Sequence, residues 1–256
     1  MEVWVEIIVC VVASLGAGLG TGFAGMSAAA VISPMLITFL GVPAYQAIGI
    51  ALASDVIASA VSAYIYGRNK KLDIKNGLLL LASVLFFTYI GSLVSAKAGD
   101  TGLGLISVFM TFVVGVQFLL NPYPNPRLKK QWGYTTRIVL TLASGAVIGF
   151  ICGFVGAGGG MMMLIVLTVI LGYELKTAVG TSVFVMAFTA LTGATSHFVI
   201  GGVYDWYLLG LCMILTCFFA QLASLFANRV GPVLQKRATG AVLTALGVAM
   251  LLFNYL

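Results

Sequence analysis

The sequence predicts an all-α polytopic membrane protein built from two inverted structural repeats of about five helical segments each. Three observations predict it: very few charges, a self-match at a nearly constant offset, and cations that change loops between the matching halves.

Of 256 residues, 61% are hydrophobic and 8% are charged, against about 25% charged in a soluble domain. So few ions cannot cover a water-facing surface. The charges collect in short clusters, Arg68 to Lys75 and Arg127 to Arg137, separated by long apolar stretches, the pattern of membrane spans and their loops. The net charge of +6 does not indicate nucleic acid, because the cations sit at the ends of apolar segments without interleaved aromatics. Cys10, Cys152, Cys212 and Cys217 lie inside apolar stretches with no metal-ligand spacing, which makes them small hydrophobes. Acidic Glu2 and Glu6 stand where a secretory signal carries Lys or Arg, so the first apolar segment is expected to be retained as a span.

Sliding the chain by 131 residues lays Gly18, Gly22 to Gly25 and Gly41 on Gly149, Gly153 to Gly156 and Gly172. An offset of 132 then lays Asp73 on Asp205, Ser92 on Ser224, Lys97 on Arg229 and Gly115 on Gly247. The chain therefore divides into a first membrane repeat at 1–122, a linker at 123–132 and a second repeat at 133–256, together one transport domain.

The apolar segments of the first half run about 4–23, 27–40, 45–67, 76–96 and 102–120, and those of the second about 136–155, 159–172, 177–200, 206–228 and 238–256. A full span needs about 20 residues. The second segment of each half falls short, and reads as a short or re-entrant helix broken from the one before it. Arg68, Lys70, Lys71 and Lys75 mark the loop after segment three as cytoplasmic, whereas its counterpart at 201–205 carries no cation. Conversely Arg229, Lys236 and Arg237 follow segment four of the second half, where the first half is nearly neutral. Inverted halves satisfy both facts, with the linker inside and both termini outside. Inverted repeats with broken helices are characteristic of secondary transporters.

The breaks are expected at Gly25, Met26 and Ser27, and at Gly158, Gly159 and Gly160. Glycine costs about 1 kcal/mol in a helix interior, so consecutive ones end one helix and let another begin. Backbone N–H groups freed at membrane depth need partners, and with the positive end of the new helix they suit an anion. Gly18 with Gly22, and Gly149 with Gly153, have small-xxx-small spacing and are read as helix-packing contacts.

Asp55 falls near the middle of the third span, beside Ser54. An intramembrane carboxylate costs several kcal/mol unless paired or protonated. It is read as a proton or cation coupling site next to the substrate; the alternative is a neutral acid that locks helices together. Thr181 and Ser182 either donate hydroxyls to a substrate oxyanion or cap their own backbone, and Ser54 and Ser27 are weaker candidates of the same kind. His197, the one histidine, is a candidate for gating or protonation. Gln117 and Gln221 are read as amides bridging helices.

The paired Gly-rich openings, Gly180-Thr181-Ser182 with its counterpart Gly49-Ile50-Ala51, and the run from Ser196-His197 to Asp205 resemble the sulfite exporter TauE/SafE family of membrane permeases, essentially end to end. The resemblance implies transport, without ATP, of sulfite, a sulfonate or a related sulfur-containing or carboxylate anion. The expected function is a secondary transporter of such an anion by alternating access in the cell inner membrane, with an anion-selective channel as the alternative. No catalytic constellation is legible, so an enzyme is not expected, and no cofactor or metal. The expected partners are the anion and the lipid bilayer, with proton or sodium coupling and a homodimer left open and no nucleic acid.

Overall fold

The computed structural model describes residues 3–97, 100–120, 133–156, 159–201, 205–227 and 229–255. Among these residues the chain is helical throughout, without a strand: α1 Val3–Ala24, α2 Ala29–Leu40, α3 Ala44–Arg68, α4 Ile74–Ser95, α5 Asp100–Leu120, α6 Tyr134–Val155, α7 Gly159–Ile165, α8 Leu175–Gly201, α9 Trp206–Ala227 and α10 Pro232–Tyr255. A π-helical turn, Val166–Ile170, continues α7. Among the described residues eight helices are long and apolar enough to cross a membrane, and α2, at 12 residues, is not. The expected segments are thus present, short second segments included. α10 begins several residues before the expected 238, because Pro232 occupies its first position, where the missing N–H costs nothing.

The repeat reappears in backbone geometry. Gly25 and Gly156 end α1 and α6 in the left-handed conformation at φ 63° and 73°, and Gly41 and Gly172 end the second segments at 63° and 70°. Asp73 accepts the Asn76 N–H at the start of α4, and Asp205 accepts the Tyr207 and Leu208 N–H groups at the start of α9. The aspartate matched between the halves is therefore an N-cap in both.

Close helix approaches give the relative directions. Along α6, Gly145, Gly149 and Gly153 meet Leu80, Val84 and Thr88 of α4 in that order, so the two run parallel. Gly18 and Gly22 of α1 meet Phe219 and Ala223 of α9, also parallel; the upstream glycines do serve packing. α8 lies antiparallel to α3, with Gly180 at Tyr66 and Gly193 at Leu52, and α10 lies antiparallel to α5, with Gly240 at Leu119 and Gly247 at Phe112. Exchanging the halves carries α1 on α9 into α6 on α4, and leaves α3 on α8 and α5 on α10 unchanged. Antiparallel contact between repeat-equivalent helices is compatible with inverted copies. These directions also put the loops after α3 and α9, with Arg68 to Lys71 and with Arg229, at one end of the bundle.

Large apolar side chains such as Phe86, Phe109, Ile214 and Phe218 are exposed, while Ser14, Ser33, Thr88, Thr111 and Thr189 are buried. Several buried hydroxyls bond one turn back, Ser33 to Ala29 O, Thr88 to Val84 O and Thr189 to Val185 O. This self-contained bonding suits helices in lipid.

Candidate functional site

Two interrupted helices meet in the interior. α1 stops at Ala24; the Gly25 N–H bonds Thr21 O and the Met26 N–H reaches back to Gly20 O, the closing bonds of a helix end whose next residue is left-handed. Gly156 repeats the turn, its N–H on Cys152 O at 2.9 Å. The chain then re-enters helix at α2 and α7.

At the start of α2, Ser27 Oγ accepts the Ala29 N–H at 3.2 Å and donates to Asp55 Oδ2 at 2.6 Å. It also lies 3.3 Å from Gly156 O, so one hydroxyl touches both breaks. Ser59, one turn beyond Asp55 on α3, donates to Oδ1 at 2.7 Å, and the Ala28 backbone bonds the same carboxyl group. Asp55 is fully buried. Among the described residues no cationic side chain pairs with it; its bonds come from hydroxyls and the amide end of a helix, a combination that stabilises negative charge.

The second break crosses the first at Gly160. A Cβ there would lie 2.5 Å from Gly25 O and 2.6 Å from Met26 Cα, closer than packed atoms come. Ser182 on α8 donates to Gly25 O at 2.8 Å and lies 3.4 Å from Gly160 O. Met26, Ser27 and Ser182 are buried with Asp55. The crossing is therefore closed: where the sequence suggests freed amides that suit an anion, the glycines let two backbones touch.

The structure thus gathers Gly25, Met26, Ser27, Asp55, Gly160 and Ser182 into one cluster, with Gly159 beside Cys152 on its second-half side. Gly158 lies outside the described residues. Other candidates stand apart. Ser54 donates to Ile50 O of its own helix at 2.9 Å. Thr181 accepts the Asp73 N–H at 3.1 Å and so holds the α3–α4 loop onto α8. His197, fully buried and stacked on Tyr45, sets its ring nitrogens 3.3 Å from Tyr45 O and 3.2 Å from Gly153 O. Gln221 is exposed on α9 rather than set between helices. Sequence reading passed over Ser59, although its i+4 spacing from Asp55 puts both on one face, and Tyr66, whose hydroxyl donates to Gly22 O at 2.9 Å and holds the end of α1.

Beyond the cluster, at the cation-bearing end, Lys71 pairs with Glu174, and Tyr173 donates to Asp73. These bonds join the loop after α3 to the start of α8. Lys71 beside Glu174 holds that carboxyl below its ordinary range. At Asp73 partial burial pulls upward, and the bonds from Tyr173 and Asn76 outweigh it, leaving this carboxyl low as well.

Comparison with known proteins agrees with this architecture. The chain is 25% identical over 225 residues, 80% of its own length and 82% of the relative's, to the probable membrane transporter protein YunE of Bacillus subtilis (strain 168). It is 23% identical over 226 residues, 86% of its length and 90% of the relative's, to the probable membrane transporter protein YdhB of the same organism. No solved structure matches it. The family model described as sulfite exporter TauE/SafE matches residues 10–250, so this multi-pass chain is a membrane transporter that belongs to the sulfite exporter TauE/SafE family.

Proposed function

We propose that the protein is a secondary carrier of a small oxyanion, sulfite, an organosulfonate or a related carboxylate, working by alternating access between two inverted halves. The observation that carries this reading is the crossing of the two breaks, with Ser27 and Ser182 each spanning both halves. An anion held between the start of α2 and the Gly160 backbone would be reached from either side by separating the halves. The closed crossing suits a carrier's occluded state, whereas a pore needs a continuous path.

The cation-bearing end faces the cytoplasm in this reading, with both termini outside and the protein in the inner membrane. Asp55 is the coupling site. An anion leaving the cytoplasm moves with the membrane potential, while uptake needs a co-ion; a protonatable group beside the anion site supports coupled uptake.

Purified protein in liposomes tests the reading. Labelled sulfite should show saturable counterflow, accelerated by unlabelled sulfite or methanesulfonate on the far side. Large single-channel currents would replace the carrier with a pore, and movement of no oxyanion would end the proposal.

A further inference from the structure

The start of α2 already holds a carboxyl group, one the chain supplies. Ser27 Oγ at 2.6 Å, Ser59 Oγ at 2.7 Å and the Ala28 backbone all bond Asp55. These are the donors that an oxyanion lodged at the α2 break would require. A further donor lies idle there. Thr21 is fully buried and its hydroxyl has no hydrogen-bond partner among the described residues. Its counterpart at the 131-residue offset is Cys152, which takes a bond from the backbone of Gly159, itself the counterpart of Ala28. Thr21 itself lies in the last turn of α1, its carbonyl accepting the Gly25 N–H at the break, with a hydroxyl that Asp55 does not use.

We propose that Asp55 is a tethered stand-in for the transported anion: carboxylate and substrate take the same donors at the start of α2, so the substrate enters only when Asp55 accepts a proton and lets go. This rests on the anion-carrier reading above and assigns its coupling step. The proton goes to a carboxylate oxygen of Asp55, which frees the Ser27 hydroxyl and the Ala28 N–H; the substrate takes both, and Thr21 offers the additional donor. Two negative charges cannot share donors at this spacing in a site without a cation. One proton therefore travels with each anion admitted. The second half cannot act the same way, since Met186 stands at the counterpart of Asp55.

Other groups that could titrate near the site are few. Cys152 of α6 interacts electrostatically with Asp55, and His197 of α8 bonds Gly153 O on that same helix. Neither α1 nor α2 carries an ionisable side chain at the break: Gly20 to Ala30 contains none.

The test is equilibrium binding of methanesulfonate, whose charge does not change between pH 5 and 8, to purified full-length protein. Wild-type affinity should rise as pH falls, approaching about tenfold per pH unit where one proton gates one site. Asp55→Asn should bind about tenfold tighter or better at pH 8, because a site no longer filled by its own carboxylate is more often competent, and its affinity should be flat with pH. In liposomes it should keep counterflow and lose accumulation driven by a proton gradient. His197→Gln and Cys152→Ser should retain the wild-type slope. Should Asp55→Asn fail to fold, the wild-type slope with these two controls decides: a flat wild-type profile overturns the proposal. Wild type that binds, with Asp55→Asn binding no tighter and with the same slope, removes the stand-in and leaves the carrier. No binding of sulfite, methanesulfonate or acetate by either protein removes both.

Discussion

Ser27 Oγ stands 2.6 Å from Asp55 Oδ2 while accepting the Ala29 N–H, so one hydroxyl serves both the first N–H of α2 and a carboxyl of α3. Ser27→Ala removes the acceptor of the Ala29 N–H and one partner of a fully buried acid. The expected loss is about 1 to 3 kcal/mol, read as a lower Tm in detergent. Ser33→Ala, whose hydroxyl only bonds its own helix at Ala29 O, should change Tm little. Equal Tm values for Ser27→Ala and Ser33→Ala would show that the Ser27 bridge holds nothing.

The α4–α6 contact offers a sharper steric test. A Cβ on Gly91 would come within 2.9 Å of Phe154 N, whereas one on Gly210 would meet nothing within 4 Å. Gly91→Ala should therefore destabilise by about 1 to 3 kcal/mol, the usual cost of overpacking. Gly210→Ala should be neutral or slightly stabilising, since alanine favours helix. Matching melting curves for the two variants would mean that α4 and α6 do not approach as described.

Most of the architecture was legible because lipid makes the code strict. A span must be about 20 apolar residues, so helix ends other than the start of α10 were readable to within a few positions, and Gly25 announced its break because the turn there needs φ near +60°; the second break, expected at Gly158 to Gly160, opens earlier, at Gly156, with Gly159 and Gly160 already in α7. The repeated aspartate at 73 and 205 was visible as a match, but its meaning as a cap appears only once the helix starts are placed. The closed crossing was not legible. A run of small residues suits an open chamber and a tight backbone contact equally well; which of them forms depends on where a helix from the other half arrives, and Gly160 against Gly25 is a contact 135 positions apart in sequence. The bond that Thr181 accepts was hidden for a similar reason, because its donor, the Asp73 N–H, comes from a loop 108 residues away.

Tyr173 donates to Asp73 across the two halves, and that carboxyl is held low once its hydrogen bonds have outweighed burial. A depressed folded value stabilises the protein above the unfolded value of about 3.9, and the contribution fades as pH falls through the folded value. Tyr173→Phe should therefore lower Tm at pH 7, and its gap from wild type should narrow as pH falls below the unfolded value. A gap that stays constant over that range would assign the effect of Tyr173 to packing rather than to Asp73.

Cys10 and Cys212 put the pairing of α1 with α9 within reach of chemistry. Their sulfurs are 3.6 Å apart and both side chains are fully buried, while a disulfide requires about 2.05 Å; a small helix adjustment brings them to bonding distance. A membrane-permeant oxidant that takes two electrons and two protons from the thiols should then join them. With a protease site inserted in the 123–132 linker, the cut halves should migrate together without reductant and separate with it. Cys10→Ser should abolish the link, and Cys217→Ser should preserve it, because Cys217 lies more than one turn from Cys212 on α9. α1 belongs to the first repeat and α9 to the second, so halves that separate after oxidation would break the parallel pairing on which the two-fold arrangement rests, and with it the crossing at Gly25 and Gly160.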